Sequence, residues 1–154
     1  DYDDIQIVIH PQSIVHSAVT FRDGNTIAQL SLPDMKVPIQ YALDYPERNP
    51  IKLKDDFNIF TIGSLDFELP DYGKFPALAL AYASGKEGHS FPTVLNSSNE
   101  AAVALFLQNK IHYLDIIKII ERELNSHNKI ENPSLDNILE IDKEIKNRVI
   151  CLRN

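Results

Sequence analysis

The residues of this 154-residue sequence whose types and spacing suit chemistry lie in the run from His10 to Met35. Ser13 is followed by His16 in His10-Pro11-Gln12-Ser13-Ile14-Val15-His16-Ser17, and a hydroxyl so near an imidazole suggests a nucleophile and its base. Nothing around them supplies the strand-to-helix elbow or the third orienting group of a hydrolase triad, so hydrolysis is set aside. His10 and His16 have no carboxylate or thiolate at metal-ligand spacing. On residue type alone, each ring caps a strand or fills a turn. Met35 would ordinarily fill an irregular apolar gap. In a loop with Pro33 and Asp34 it can instead wall a flat ring. Asp55, Asp56, Asp66, Glu68 and Asp71 match no Ca²⁺ loop and read as a solvated acidic linker. Cys151, without a charged neighbour in sequence, reads as inert.

The elements that must position these residues follow from periodicity. Ile5, Ile7 and Ile9 alternate as in a strand that Pro11 ends, after an acidic lead, Asp1-Tyr2-Asp3-Asp4, that should fray. Residues 14–21 and 26–30 are β-type runs joined by Arg22-Asp23-Gly24-Asn25, and Asp-Gly between apolar runs predicts a hairpin. Pro33 keeps Leu32 extended, and a helix can open at Pro38, whose missing N–H costs nothing in a first turn. Three prolines then interrupt a connecting segment, with a turn at Thr61-Ile62-Gly63-Ser64. Alternation of Leu65, Phe67 and Leu69 predicts a short strand completing the first sheet.

Beyond Lys74 the pattern is helical. One helix carries Phe75, Leu78, Ala79 and Tyr82 and should end at Gly85 and Gly88. Ser97-Ser98-Asn99-Glu100 has the form of a capping box opening a second helix toward Asn109, with Asn99 and Glu100 as capping rather than catalytic groups. Ile116, Ile117, Ile120 and Leu124 mark a third that His127 and Asn128 close. Pro133-Ser134 opens a fourth, carried by Leu135, Ile138, Ile141, Ile145 and Val149. Four amphipathic segments with short joins predict a bundle.

Composition narrows the partners. A formal net charge of −7 argues against a nucleic-acid surface, which needs clustered Lys and Arg. No apolar run approaches the roughly 20 residues needed to cross a bilayer, so no membrane partner is expected. A single cysteine forbids an internal disulfide and suits a reducing compartment, which points to the cytoplasm.

The blocks His10-Pro11-Gln12-Ser13-Ile14-Val15-His16-Ser17, Asp23-Gly24, Ala28-Gln29-Leu30, Pro33-Asp34-Met35 and Pro38-Ile39 carry a resemblance, in spacing as well as letters. It continues through Leu65-Asp66-Phe67-Glu68, Pro70-Asp71-Tyr72, Phe75-Pro76 and Leu95-Asn96-Ser97-Ser98-Asn99-Glu100. The chain resembles the 1-deoxy-D-xylulose 5-phosphate reductoisomerase family along nearly its whole length. Ala18, Ser31, Lys36 and Val37 depart from the methionine, glycine, arginine and threonine usual there.

The resemblance implies an α+β chain, with residues 1–45 as the C-terminal part of a mixed α/β catalytic domain bearing the hairpin. Residues 46–72 would be a linker with a short strand, and residues 73–154 a C-terminal α-helical domain like a four-helix bundle. It implies that the whole enzyme, with NADPH and a divalent metal (Mg²⁺ or Mn²⁺), rearranges deoxyxylulose phosphate and reduces it to methylerythritol phosphate for isoprenoid precursors. Ser13 and His16 would be active-site polar groups, and Pro33 and Met35 would border the nicotinamide pocket. The nucleotide-binding domain and metal carboxylates would lie upstream of this chain, so neither cofactor nor metal is expected on it alone. A homodimer in the bacterial cytoplasm is implied, a plastid source remaining open.

The rival reading is a non-catalytic assembly module in which the hairpin edge pairs with a second copy and the helices brace it. Such a module has no reason to contain the His10-to-Ser17 block at a set distance from Pro33-Asp34-Met35.

Overall fold

The computed structural model describes residues 1–53 and 57–151, so Asp55 and Asp56 of the acidic linker lie outside the described residues. The chain divides into two compact units, one of Ile7–Pro70 and one of Asp1–Gln6 with Asp71–Asn154.

In the first unit β1 (Val15–Thr20) and β2 (Thr26–Leu30) form a two-stranded antiparallel sheet. Ala18 faces Ala28, Val19 faces Ile27 and Thr20 faces Thr26, the last two hydroxyls 2.9 Å apart. Asp23 and Gly24 make the turn as the sequence predicts. The Asp23 carboxylate accepts from the Asn25 N–H (2.9 Å), and Gly24 takes φ +86°, a left-handed conformation that disfavours a side chain.

Helix α1 (Lys36–Asp44) begins two residues before Pro38, because the Asp34 carboxylate accepts from the Lys36 N–H at 2.9 Å and supplies the cap. Pro38 still falls in the first turn, where its lost donor is harmless.

The strand expected at Ile5, Ile7 and Ile9 does not form. Only Ile9 pairs, exchanging two 2.9 Å hydrogen bonds with Glu68, and that bridge stands apart from the hairpin sheet. The expected strand at Leu65, Phe67 and Leu69 shrinks to the same bridge. Pro11 and Pro70 flank it on either side, and neither can donate to a longer ladder. The turn after the 3₁₀ segment Ile59–Thr61 is real, with Gly63 at φ +77°.

The second unit is helical, with α2 (Ala77–Glu87), α3 (Phe91–Leu107), α4 (Tyr113–Ser126) and α5 (Leu135–Cys151). α3 packs on α2, α4 and α5. Its Val94, Ala101, Ala102 and Leu105 meet Ile116, Ile119 and Ile120 of α4 and Ile141, Ile145 and Val149 of α5 in one apolar cluster. Spacings of three and four residues put each set on one helix face.

The N-terminal lead does not fray. Tyr2–Asp4 form a 3₁₀ turn, Asp3 pairs with Lys86, and the Tyr82 hydroxyl donates to the Ile5 carbonyl at 2.8 Å. α2 runs through Gly85, where the Tyr2 ring occupies the space a β-carbon would need. Gly88, at φ +67°, ends the helix.

The Ser97-Ser98-Asn99-Glu100 run is corrected by the structure, since it lies in the middle of α3. The helix opens earlier, with Pro92 in its first turn. Ser98 is buried and its hydroxyl returns to the Val94 carbonyl (2.7 Å), a bond made inside a helix. Ser97 is fully buried and donates to Asp142 of α5 (2.6 Å). Lys146 then joins Glu100 (2.7 Å) and Asp142 (2.9 Å). The Ser97 hydroxyl and then Lys146 hold the Asp142 carboxyl below the usual carboxylate range.

The true capping boxes stand elsewhere. Asp115 accepts from the His112 N–H (3.1 Å) to open α4, and Asn137 and Ser134 exchange bonds to open α5. Glu123 of α4 is 1% exposed, bound by Arg122 at 2.7 Å and facing Arg148 at 3.0 Å as an ion pair without hydrogen-bond alignment.

Candidate functional site

The site grows from the two ends of the hairpin. At one end Pro11 turns the chain, with the Ser13 N–H donating to the His10 carbonyl (3.0 Å) and Ser13 left at φ +52°. A serine in the left-handed region is strained, and such strain persists only where surrounding contacts impose it. Those contacts come from the segment around residue 66. The His10 Nδ1–H donates to the Asp66 carbonyl at 2.8 Å, and the His10 ring stacks on Phe67 with centroids 4.7 Å apart. The Gln12 amide grips the Asp66 carboxylate and accepts from its N–H (3.3 Å). His10 is therefore a turn-filling ring, as its residue type alone suggests.

Strand β1 then carries a bulge. Val15 pairs with Leu30 but Ser17 pairs with Gln29, so His16 is the extra residue. A bulge re-aims the side chain it adds and breaks the strict alternation of faces. His16 is exposed, and its Nε2 lies 2.9 Å from the Ser31 hydroxyl just past the end of β2.

The opposite wall is the loop into α1. Asp34 N–H donates to the Leu32 carbonyl (2.8 Å), and the Asp34 carboxylate is engaged by the Lys36 N–H, with Lys36 Nζ at 4.0 Å. This lock holds Pro33 and Met35 in place, Met35 70% exposed.

Ser13, His16, Pro33 and Met35 all line one cleft of about 460 Å³, together with Ser17, Gln29, Asp34 and Pro38. One side offers hydroxyl, imidazole and amide groups, and the other is proline and methionine. An oxygen-rich molecule fits the first and a flat ring the second. Sequence reasoning passed over Ser17, Gln29 and Ser31 as site residues. Once the Asp-Gly turn fixes the register, Ser17 must face Gln29, and that was the available signal. No group of three His, Cys, Asp or Glu side chains among the described residues can hold a metal ion.

A two-stranded sheet with a proline-methionine loop in one unit, and four packed helices in the other, define an α+β protein with a cleft at the hairpin's open end. The family model for the DXP reductoisomerase C-terminal domain matches residues 30–148. The chain belongs to the 1-deoxy-D-xylulose 5-phosphate reductoisomerase family.

It is 51% identical to the reductoisomerase of Listeria monocytogenes over 146 residues, covering 95% of this chain and 38% of that protein. It is 48% identical to that of Caldanaerobacter subterraneus, covering 96% and 39%. Among solved structures it is similar to the Zymomonas mobilis reductoisomerase in complex with NADPH, with TM-score 0.85 and 41% identity over 96% of this chain and 39% of that one. A reductoisomerase in complex with NADPH, fosmidomycin and magnesium matches with TM-score 0.85 and 39% identity, over 95% and 38%. The chain thus spans under two fifths of the length of the curated relatives named here.

Proposed function

We propose that this chain is the C-terminal part of a 1-deoxy-D-xylulose 5-phosphate reductoisomerase. The complete protein would rearrange deoxyxylulose phosphate to an aldehyde and reduce it to 2-C-methyl-D-erythritol 4-phosphate in the non-mevalonate isoprenoid pathway. The observation that carries this reading is the cleft that gathers Ser13, His16, Pro33 and Met35. Residues 1–45 would close the catalytic domain, 46–72 connect, and 73–154 form the helical domain.

The residues present fit a nicotinamide. Pro33 and the exposed Met35 offer a rigid apolar wall that can hold a flat ring and keep water from it. NADPH, when bound, supplies the hydride that reduces the aldehyde carbon. Ser13 and His16, across the cleft, would bind and orient the oxygens of the reacting molecule, and an imidazole there can hold or give a proton. Among the described residues no three His, Cys, Asp or Glu side chains gather as a metal site, so the ligands for Mg²⁺ or Mn²⁺ would come from elsewhere in the complete protein.

A second proposal concerns assembly. Val19, Phe21 and Ile27 of the hairpin region are all exposed, and among the described residues of 7–70 none is buried. A two-stranded hairpin is marginal by itself. Further protein surface would cover these side chains, and a cytoplasmic homodimer suits them. Light scattering on the full-length protein would give twice the subunit mass, whereas a monomer mass would remove this part.

The test of the main reading is turnover. Full-length protein with Mg²⁺ or Mn²⁺ should oxidise NADPH when deoxyxylulose phosphate is added, with methylerythritol phosphate as product. The isolated 154-residue chain should do neither this nor bind either metal at micromolar concentration. Full-length protein that leaves NADPH untouched would contradict the reading, as would turnover by the isolated chain.

A further inference from the structure

We propose that Ser31 is a positioning residue for His16, its hydroxyl holding the imidazole in the Nε2–H tautomer and leaving Nδ1 as the nitrogen free to meet a ligand. The inference rests on the reading that His16 serves the reductoisomerase reaction, and adds how that ring is set.

The argument is a count of protons. Ser31 Oγ lies 2.9 Å from His16 Nε2 and 3.1 Å from the Leu32 carbonyl oxygen. A hydroxyl has one proton and a carbonyl oxygen can only accept, so in the arrangement we propose the Ser31 proton is given to Leu32. The Ser31 oxygen then presents a lone pair to His16, and in that arrangement Nε2 carries the hydrogen between them. A neutral imidazole has one N–H, so Nδ1 is left with its lone pair.

The backbone supports this geometry from both sides. The Ser31 N–H donates to the Ile14 carbonyl at 3.1 Å, fixing Ser31 beside the start of β1. The bulge that makes His16 the extra residue lies at the Val15 and Leu30 pair, next to that bond. Ser31 is half-buried, so it is held while the ring it orients stays exposed. For metal-ligating histidines the loss of such an outer partner costs about 10- to 100-fold in affinity or activity, which sets the scale for an orienting hydroxyl.

The test uses the full-length protein labelled with ¹⁵N-histidine, the His16 signal being identified by its loss in His16→Ala. At pH 8, where an ordinary imidazole is neutral, two-bond ¹H–¹⁵N correlations read the tautomer. Wild type should show His16 as Nε2–H. Ser31→Ala and Ser31→Gly should both show a mixture of tautomers, and Ser31→Thr, which keeps the hydroxyl, should restore the single form. In steady-state kinetics Ser31→Ala should lower kcat about tenfold with little change in KM, and Ser31→Thr should recover most of the loss.

An unchanged tautomer in both Ala and Gly variants would overturn the proposal. So would a changed tautomer with unchanged kcat while His16→Ala is slow. If His16→Ala itself turns over normally, the reading of His16 fails, and the tautomer measurement still stands as a statement about Ser31.

Discussion

His16 and Asn99 show how differently two polar residues of this chain are placed. His16 is exposed at a bulge in the cleft wall, bonded to one hydroxyl, so removing its ring leaves no buried group unpaired. In the full-length protein His16→Ala should therefore slow turnover by about 100-fold, a usual loss for a placed polar group at a reacting centre, and leave the melting temperature within a degree or two. Near-normal turnover with a collapsed melt would make His16 structural. Asn99, read from sequence as a cap whose loss should destabilise, lies exposed in mid-helix. Asn99→Ala should change stability by no more than about 0.5 kcal/mol, since surface changes away from special contacts do little. Ser97→Ala, which deletes a fully buried hydroxyl bonded to Asp142, should cost about 1 to 2 kcal/mol. Chemical denaturation of the two variants separates them, and equal effects would show the buried bond to be unimportant.

At the scale of elements, the hairpin and the later helices were legible because their signals are local. Asp23-Gly24 sets the turn through one side-chain bond and one left-handed glycine, and the isoleucine spacing of α4 and α5 sets their buried faces. Other parts depended on contacts distant in sequence. Ser97 and Glu100 look like a cap in one dimension, but their partners Asp142 and Lys146 lie on α5, and only packing shows that. The isoleucines at the start alternate like a strand, yet the Ile5 carbonyl is taken by the Tyr82 hydroxyl. In the site, the residue pattern suggested Ser13, His16, Pro33 and Met35, while Ser31 became visible only with the bulge.

The α3 and α4 ends carry a pH dependence. Ser90, fully buried, lies with its hydroxyl 2.7 Å from His127 Nε2, and that hydroxyl also accepts from the Ile130 N–H at 2.9 Å. The hydroxyl's own proton is then available to Nε2 of a neutral His127 ring. Burial, then the positive charge of Arg148, pushes the His127 imidazole below its ordinary value of 6.5, with Glu144 opposing. A lowered folded value means that the unfolded chain binds the proton more readily. The stabilisation from neutral His127 is thus fully present above pH 6.5 and declines as pH falls through the lower folded value. Thermal melts of wild type and His127→Gln from pH 8 to pH 5 should show wild type losing more stability on acidification. Parallel curves would contradict the assignment.

At the scale of the molecule, the buried apolar side chains among the described residues all lie between Val94 and Val149. Residues 73–154 expressed alone should therefore be helical and melt cooperatively, since packing of amphipathic faces supplies most helical stability. A coil-like circular dichroism spectrum would show that this part depends on the rest. The first unit has no buried residue among its described positions, so the wall proposed here would need further protein surface to complete it.

The central claim, that this wall meets the nicotinamide, can be tested by methyl NMR on the full-length protein labelled with ¹³C-methyl methionine. Met35 is the one methionine in this sequence, and Met35→Leu identifies its signal. On saturation with NADPH, the Met35 methyl should shift and show nuclear Overhauser contacts to nicotinamide ring protons. A Met35 methyl that stays unmoved and free of such contacts, in protein that binds NADPH and turns over, would contradict the account.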